Sequence, residues 1–547
     1  MAADLVIKGG TVIDGTGAPG RRAEVAIAGD RIVEIGHDLD GARVIDAGGM
    51  VVAPGFIDIH THYDAQVFWD PALTPSCFHG VTTVFAGNCG FSIAPVQRGL
   101  EELVARTLEN VEDMSFAALM AGVPWDFETF PEYLDAVRRR DPMLNFGAYV
   151  GHSAVRMAVL GTEAYERAAT DDELSAMRGL VRDAMDAGAV GFSSSYVPVH
   201  LGAGGKPVPS RLADAAEFEA LTGVLAELGR GVIGISGTAY PEGMYEFQRR
   251  NGRPLTYPLL SSRRTAEELA THRTERAAGS EVWLQVTPRP LVMGMTGAQP
   301  YMLNSVAPIG ELLSASREER AHAYADPAWR AAANAAIPAA ALRPNWGRYM
   351  ITESDSHPEL VGRPLAELAE ERGCLPLDLL LDVAIDDGLD TRFQTVVANG
   401  DPEVVHTLLT GEGVTLGLSD AGAHVSQLCD AAQATDLLAR WVREREAMTL
   451  EHAVRMLSGL QADIYALADR GYLRPGAFAD VAIFDPATVD TGPVRRVADL
   501  PGGGDRLTAD APTGIAHVIV NGTPVVADGA LLGNHPGTVL DRQSFTN

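Results

Sequence analysis

Eight β-like runs recur through the middle of this 547-residue chain, with helical periodicity in several of the stretches between them. They are FIDIHTH (56–62), VTTVFAGNCG (81–90), NFGAYVGHS (145–153), AVGFSSSYV (189–197), GVIGIS (231–236), VWLQVTP (282–288), QTVVANG (394–400) and VTLGLSD (414–420). A connecting segment such as TDDELSAMRGLVRDAMDAG (170–188) has a capping residue at Thr170 or Asp171, apolar residues three and four apart, and a closing glycine, as an amphipathic helix requires. Alternation of this kind demands a parallel sheet, and eight units fit a closed TIM-type (β/α)8 barrel in the α/β class. An open doubly wound sheet is the competing arrangement, but no run leads into a GxGxxG turn.

The two ends read differently. Residues 1–55 and 466–547 hold short strands broken by glycine turns, such as LVIKGGTVID and IAHVIVNGTPVVADG, and neither end is long enough to close a core alone. They are expected to pair into one small β-sandwich domain around a barrel spanning 56–465. Two spacers, 91–144 and 289–393, are too long for single helices and are expected to carry lids or extra helices where βα loops cover a barrel mouth.

Bulk properties narrow the partners. A formal charge of −29 repels phosphate backbones, and no basic run offsets it, so nucleic acid is not expected as a partner. No apolar run is long enough to span a bilayer, and the opening residues lack a basic start followed by an apolar stretch, which makes the cytoplasm the expected compartment. Four cysteines without CxxC spacing give no disulfide framework and no zinc knuckle. Assembly into a homo-oligomer stays open.

The strongest chemical signal is PGFIDIHTHYD. His60 and His62 lie two apart on an expected strand, so both side chains point the same way at its C-terminal end, half of a divalent-metal site. The eighth run ends in LGLSDAGAH, and in a barrel the ends of strands one and eight are neighbours. Asp420 can therefore reach an ion held by His60 and His62, and can take a proton from water that the ion acidifies. SDAG is equally good helix-capping chemistry for Asp420.

PGFIDIHTHYD, HGVTTVFAGNCGFSIAP, VEDMSFAALMAGVPWDFETFPEYLDAV, LGLSDAGAHV and DRGYLRPGAFADVAIFDP resemble the amidohydrolase superfamily, in particular its branch of N-acyl-D-amino-acid deacylases, over nearly the whole chain. That resemblance implies a zinc-dependent hydrolase with His60, His62, Cys89 and Asp420 as metal ligands and Asp420 as general base and acid. It also implies that Tyr196 polarises the scissile carbonyl and that His152 orients a ligand or contacts substrate. Arg289 could hold a substrate carboxylate.

The chain departs from the deacylase pattern as well. Histidines that the branch places after strands five and six are missing from GVIGISGTAY and VWLQVTPRP, and only Lys8 and Lys206 are available as a bridging lysine. One zinc ion is expected rather than two. The arginine-bearing loop that grips the substrate carboxylate after strand eight is not recognisable in SDAGAHVSQLCDA. The expected function is hydrolysis of a C–N amide-type bond of a small molecule, with N-acyl-D-amino acids among the candidate substrates. A lyase-type reaction or a non-catalytic binding barrel is the alternative.

Overall fold

The computed structural model describes residues 3–237, 243–312, 315–425 and 427–546. The chain divides into two compact units: one comprises 1–289, 402–425 and 429–547, the other 290–401 with 426–428.

The larger unit is built on an eight-stranded all-parallel sheet: Phe56–Asp58, Val81–Ala86, Asn145–Gly151, Gly191–Ser195, Val232–Ser236, Leu255–Pro258, Val282–Val286 and Val414–Leu416, adjacent in that order. The ring closes just past the first and last strands, where Thr61 bridges Ala421 in parallel and the His62 amide donates to the Ala421 carbonyl at 2.7 Å. The strands are buried along almost their whole length, as expected for a sheet covered on both faces.

Two of the eight expected strand assignments are corrected. QTVVANG is no barrel strand: Arg392–Ala398 is the central strand of an antiparallel sheet in the smaller unit, between Leu291–Thr296 and Tyr349–Glu353. The sixth barrel strand is Leu255–Pro258, which makes Val282–Val286 the seventh. The smaller unit has its own core, including Tyr324, Leu365, Leu380 and Phe393.

The helix Asp171–Ala187 illustrates how local sequence sets the boundaries. Thr170 caps it in a capping box with Glu173, and Gly188 ends it with φ at +112°. Strands from both ends of the chain share one sheet, in which Val51–Pro54 pairs antiparallel with Val481–Phe484, register Ala53 opposite Ala482. Leu5, Ile7, Val25 and Ile27 of the neighbouring N-terminal sheet pack in one cluster with Val52, Val481, Ile483 and Ile519. Among the described residues, no helix is long and apolar enough to cross a membrane.

Candidate metal centre

His60 and His62 extend from the first strand just beyond its last hydrogen-bonded pair, and both are buried. Their backbone is tied down on both sides. The Asn88 side-chain amide donates to the carbonyls of Ile59 (3.3 Å), Thr61 (3.2 Å) and Phe85 (2.9 Å), and the Ser419 hydroxyl donates to the His60 carbonyl at 2.9 Å. These bonds hold the ends of strands one, two and eight at one height.

Donor atoms of His60, His62 and Cys89 all lie within 4.8 Å of one another. The His60 Nε2 is 3.5 Å from Cys89 Sγ and 3.2 Å from Asp420 Oδ1, which is also 3.8 Å from His62 Nε2. Both Cys89 and Asp420 are held in left-handed backbone, with φ at +55° and +44°. Non-glycine residues adopt that conformation at a cost, and such strain gathers at functional sites.

The tautomer of His60 follows from its neighbours. Gln285, on the seventh strand, places Oε1 2.6 Å from Nδ1, so Nδ1–H donates and the Nε2 lone pair faces the thiol and carboxylate. Gly417 makes room for this contact, since a Cβ there would meet the Gln285 side chain within 3 Å.

His62 is in a different state: both ring nitrogens are buried and neither has a hydrogen-bond partner among the described residues. Burial, with His60, His424 and His200 nearby, holds its pKa well below the ordinary histidine value, so the imidazole is neutral and a lone pair is available. Burial pushes the Cys89 thiol up, with Glu112 and Asp420 adding to the shift. A cation is the natural compensation for a buried set of neutral imidazoles, a thiol and a carboxylate, and a thiol beside one ionises. The donor set suits zinc, whose ligands are histidine nitrogen, cysteine sulfur and carboxylate oxygen.

Three other expected site residues have neighbours of their own. His152 is engaged on both nitrogens, by Ser194 Oγ at 2.8 Å and Glu217 Oε1 at 2.9 Å, and Arg156 pairs with the same glutamate. Arg289 is committed to Asp430 at 2.8 Å, with Asp436 at 3.6 Å, so its charge is already matched inside the protein. Tyr196 follows the fourth strand and packs edge-on against Phe218 at 6.1 Å. With the sixth strand reassigned, its continuation is LTYPLLSS, which contains no histidine either. After the fifth strand, 238–242 lie outside the described residues, but Ser236 at its end places Oγ 3.2 Å from Cys89 Sγ.

Sequence reasoning missed Glu112. It is the last residue of the helix Glu101–Glu112, within the 91–144 spacer, and only 2% exposed. Its carboxylate lies 3.6 Å from His62 Nδ1 and 3.6 Å from His424 Nε2, and burial, with Asp420 and Asp64, raises its pKa well above the ordinary value. The one available signal was its place in VEDMSF, a motif that carries no chemistry by spacing. Asp64 lies close by, accepting the Gly87 amide at 2.9 Å, with its pKa pushed up to about 7 by burial.

The chain is similar over nearly its whole length to known amidohydrolases. A profile described as "Amidohydrolase family" matches residues 43–526. A D-aminoacylase of Alcaligenes xylosoxydans xylosoxydans is 33% identical over 98% of both chains. The crystal structure of an N-acyl-D-glutamate deacylase from Bordetella bronchiseptica, complexed with zinc and a phosphonate mimic of the tetrahedral intermediate, is 30% identical with a TM-score of 0.69, covering 99% of this chain and 100% of that one. A D-aminoacylase structure described by its binuclear metal centre, with one-metal activation and second-metal attenuation, is 28% identical with a TM-score of 0.69, over 98% and 100% of the two chains.

Proposed function

The chain belongs to the amidohydrolase family, as an enzyme acting on C–N bonds other than peptide bonds, and from that premise we propose that it deacylates N-acyl-D-amino acids with one bound zinc ion. The observation that carries this reading is the convergence of His60, His62 and Cys89 donor atoms within 4.8 Å, with Asp420 facing both imidazoles.

These residues fit the group. Among the described residues none hydrogen-bonds either ring nitrogen of the buried His62, and Gln285 fixes His60 so that Nε2 is the donor. An ion bound there supplies Lewis acidity, which polarises the amide carbonyl and acidifies water at neutral pH. Asp420 Oδ1 accepts the proton of the attacking water and passes it to the departing nitrogen, so the amine leaves neutral. Burial of the surrounding residues keeps bulk water from competing and strengthens each charge interaction.

Two observations support a single ion. His60, His62 and Cys89 supply three donors with Asp420 beside them, enough for one ion that keeps a position open to water and too few for two. Neither SGTAY after the fifth strand nor LLSS after the sixth offers a histidine for a second.

The test is metal content per chain of purified protein, together with release of free amine from N-acetyl amino acids of both hands. One zinc per chain and turnover of D substrates are expected. Two equivalents at full activity would overturn the single-ion reading, and neither metal nor hydrolysis would overturn the whole.

A further inference from the structure

The two histidines of the metal centre are backed unequally. The His60 Nδ1 has Gln285 as its acceptor at 2.6 Å, whereas the His62 Nδ1 has no hydrogen-bond partner among the described residues and its facing oxygen is Glu112 Oε1 at 3.6 Å. Glu112 reaches this point because its helix ends there: Asp113 turns the chain with φ at +50°. The Glu112 carbonyl accepts the His424 amide, and its second carboxylate oxygen, Oε2, lies 3.6 Å from His424 Nε2. Among the described residues, no arginine or lysine forms an ion pair with Glu112.

A buried carboxylate without a cationic partner is expensive. The groups it faces here are two imidazoles, one of them a metal-ligand candidate whose Nδ1 lacks an acceptor. Histidine ligands almost always give their other N–H to an oxygen, which fixes the tautomer and raises the basicity of the ligating nitrogen.

We propose that Glu112 is a positioning residue of the metal centre, which holds His62 with Nδ1–H towards Oε1 so that Nε2 is its ligating atom, and anchors the His424 loop through Oε2 and its own carbonyl. The spacer between strands two and three is then part of the metal site. This inference rests on the zinc reading above and deepens it.

The experiment measures zinc affinity of metal-stripped, full-length protein by competition with a chromophoric chelator, and records the visible spectrum of the cobalt-substituted protein. Glu112→Leu removes the acceptor at similar volume and is expected to weaken zinc binding by roughly tenfold or more, with the number of ions per chain unchanged and the cobalt d–d bands shifted; Glu112→Ala carries the same comparison should the leucine variant not fold. Glu112→Gln keeps an acceptor oxygen, as Gln285 does for His60, and should bind zinc better than either. Glu109→Gln, on the same helix but paired with Arg106 at the surface, should bind zinc as the wild type does. Wild-type affinity and an unchanged cobalt spectrum in Glu112→Leu and Glu112→Ala would overturn the proposal. Loss of a whole equivalent of metal would overturn it too, because Glu112 would then be a ligand. Wild-type protein that binds no zinc would instead sink the reading of the site itself.

Discussion

Gln285 Oε1 and His60 Nδ1 lie 2.6 Å apart, and that contact decides which imidazole nitrogen faces Cys89 and Asp420. A residue on the seventh strand thereby sets the chemistry of a residue at the end of the first.

Replacing Gln285 with leucine should leave the strand buried and remove the acceptor. His60 can then rotate or change tautomer, and zinc affinity is expected to fall ten- to hundredfold, as for other outer-shell partners of ligating histidines. The variant Gln285→Glu retains an acceptor and should hold zinc far better than the leucine variant. Chelator competition on the two proteins distinguishes them, and equal affinity would mean that Gln285 does not position His60.

Asp420→Asn separates ligation from proton transfer. An amide oxygen can still face the ion, but it cannot take a proton from water. Turnover should drop by roughly 10²- to 10⁴-fold while zinc is largely retained. Parallel loss of zinc and activity would make Asp420 a ligand alone.

Cys89→Ala and Cys89→Ser should both fold, and both should lose zinc affinity by at least about tenfold, because a neutral hydroxyl is a poor substitute for a thiolate. Cys89→Gly would relieve the left-handed backbone yet lose the metal just as the other two do. Metal titration beside thermal unfolding shows whether affinity and stability part in this way; zinc retained in the alanine variant would remove Cys89 from the donor set.

Arg289 has carboxylate partners within the protein, and its substitution separates a structural charge from the expected grip on substrate. With Asp430 and Asp436 as its partners, Arg289→Ala should leave a buried carboxylate unpaired and destabilise the protein by about 3–5 kcal/mol. The double variant Arg289→Ala, Asp430→Ala should recover part of that loss. A change confined to KM, with the melting temperature unmoved, would restore the expected role of Arg289 in gripping substrate.

A fifth expectation concerns acid. His79 is fully buried between Thr435 and the Ala509 carbonyl, and burial lowers its pKa to about 4. The unfolded chain therefore binds this proton more readily, so the stability His79 contributes is complete above about pH 6.5 and is lost as the pH falls towards 4, up to about 3 kcal/mol. His79→Gln should show a shallower decline of melting temperature across that window, and identical slopes would count against it.

Legibility in the sequence followed physical rules. His60 and His62 could be read because a period of two places both on one face, and Asp420 because strands one and eight of a barrel must meet. Leu255–Pro258 was missed because four residues with a proline at the end make too little pattern to stand out. QTVVANG misled for the opposite reason, since an apolar β run looks alike whichever sheet takes it up. Glu112 was beyond reach, because a glutamate at the end of an amphipathic helix is ordinarily a solvated charge. Only the left-handed turn at Asp113 and the return of the His424 loop put it indoors.

Pairing of Val51–Pro54 with Val481–Phe484 joins segments roughly 430 residues apart. During synthesis the first strands emerge with apolar faces that find their cover only after the barrel and the smaller unit have been made. Closing so long a loop adds a modest entropic cost, but the wait is long at ribosomal speed. Val51–Pro54 thus waits for a partner strand made about 430 residues later, and until then that edge of the sheet is open to wrong partners.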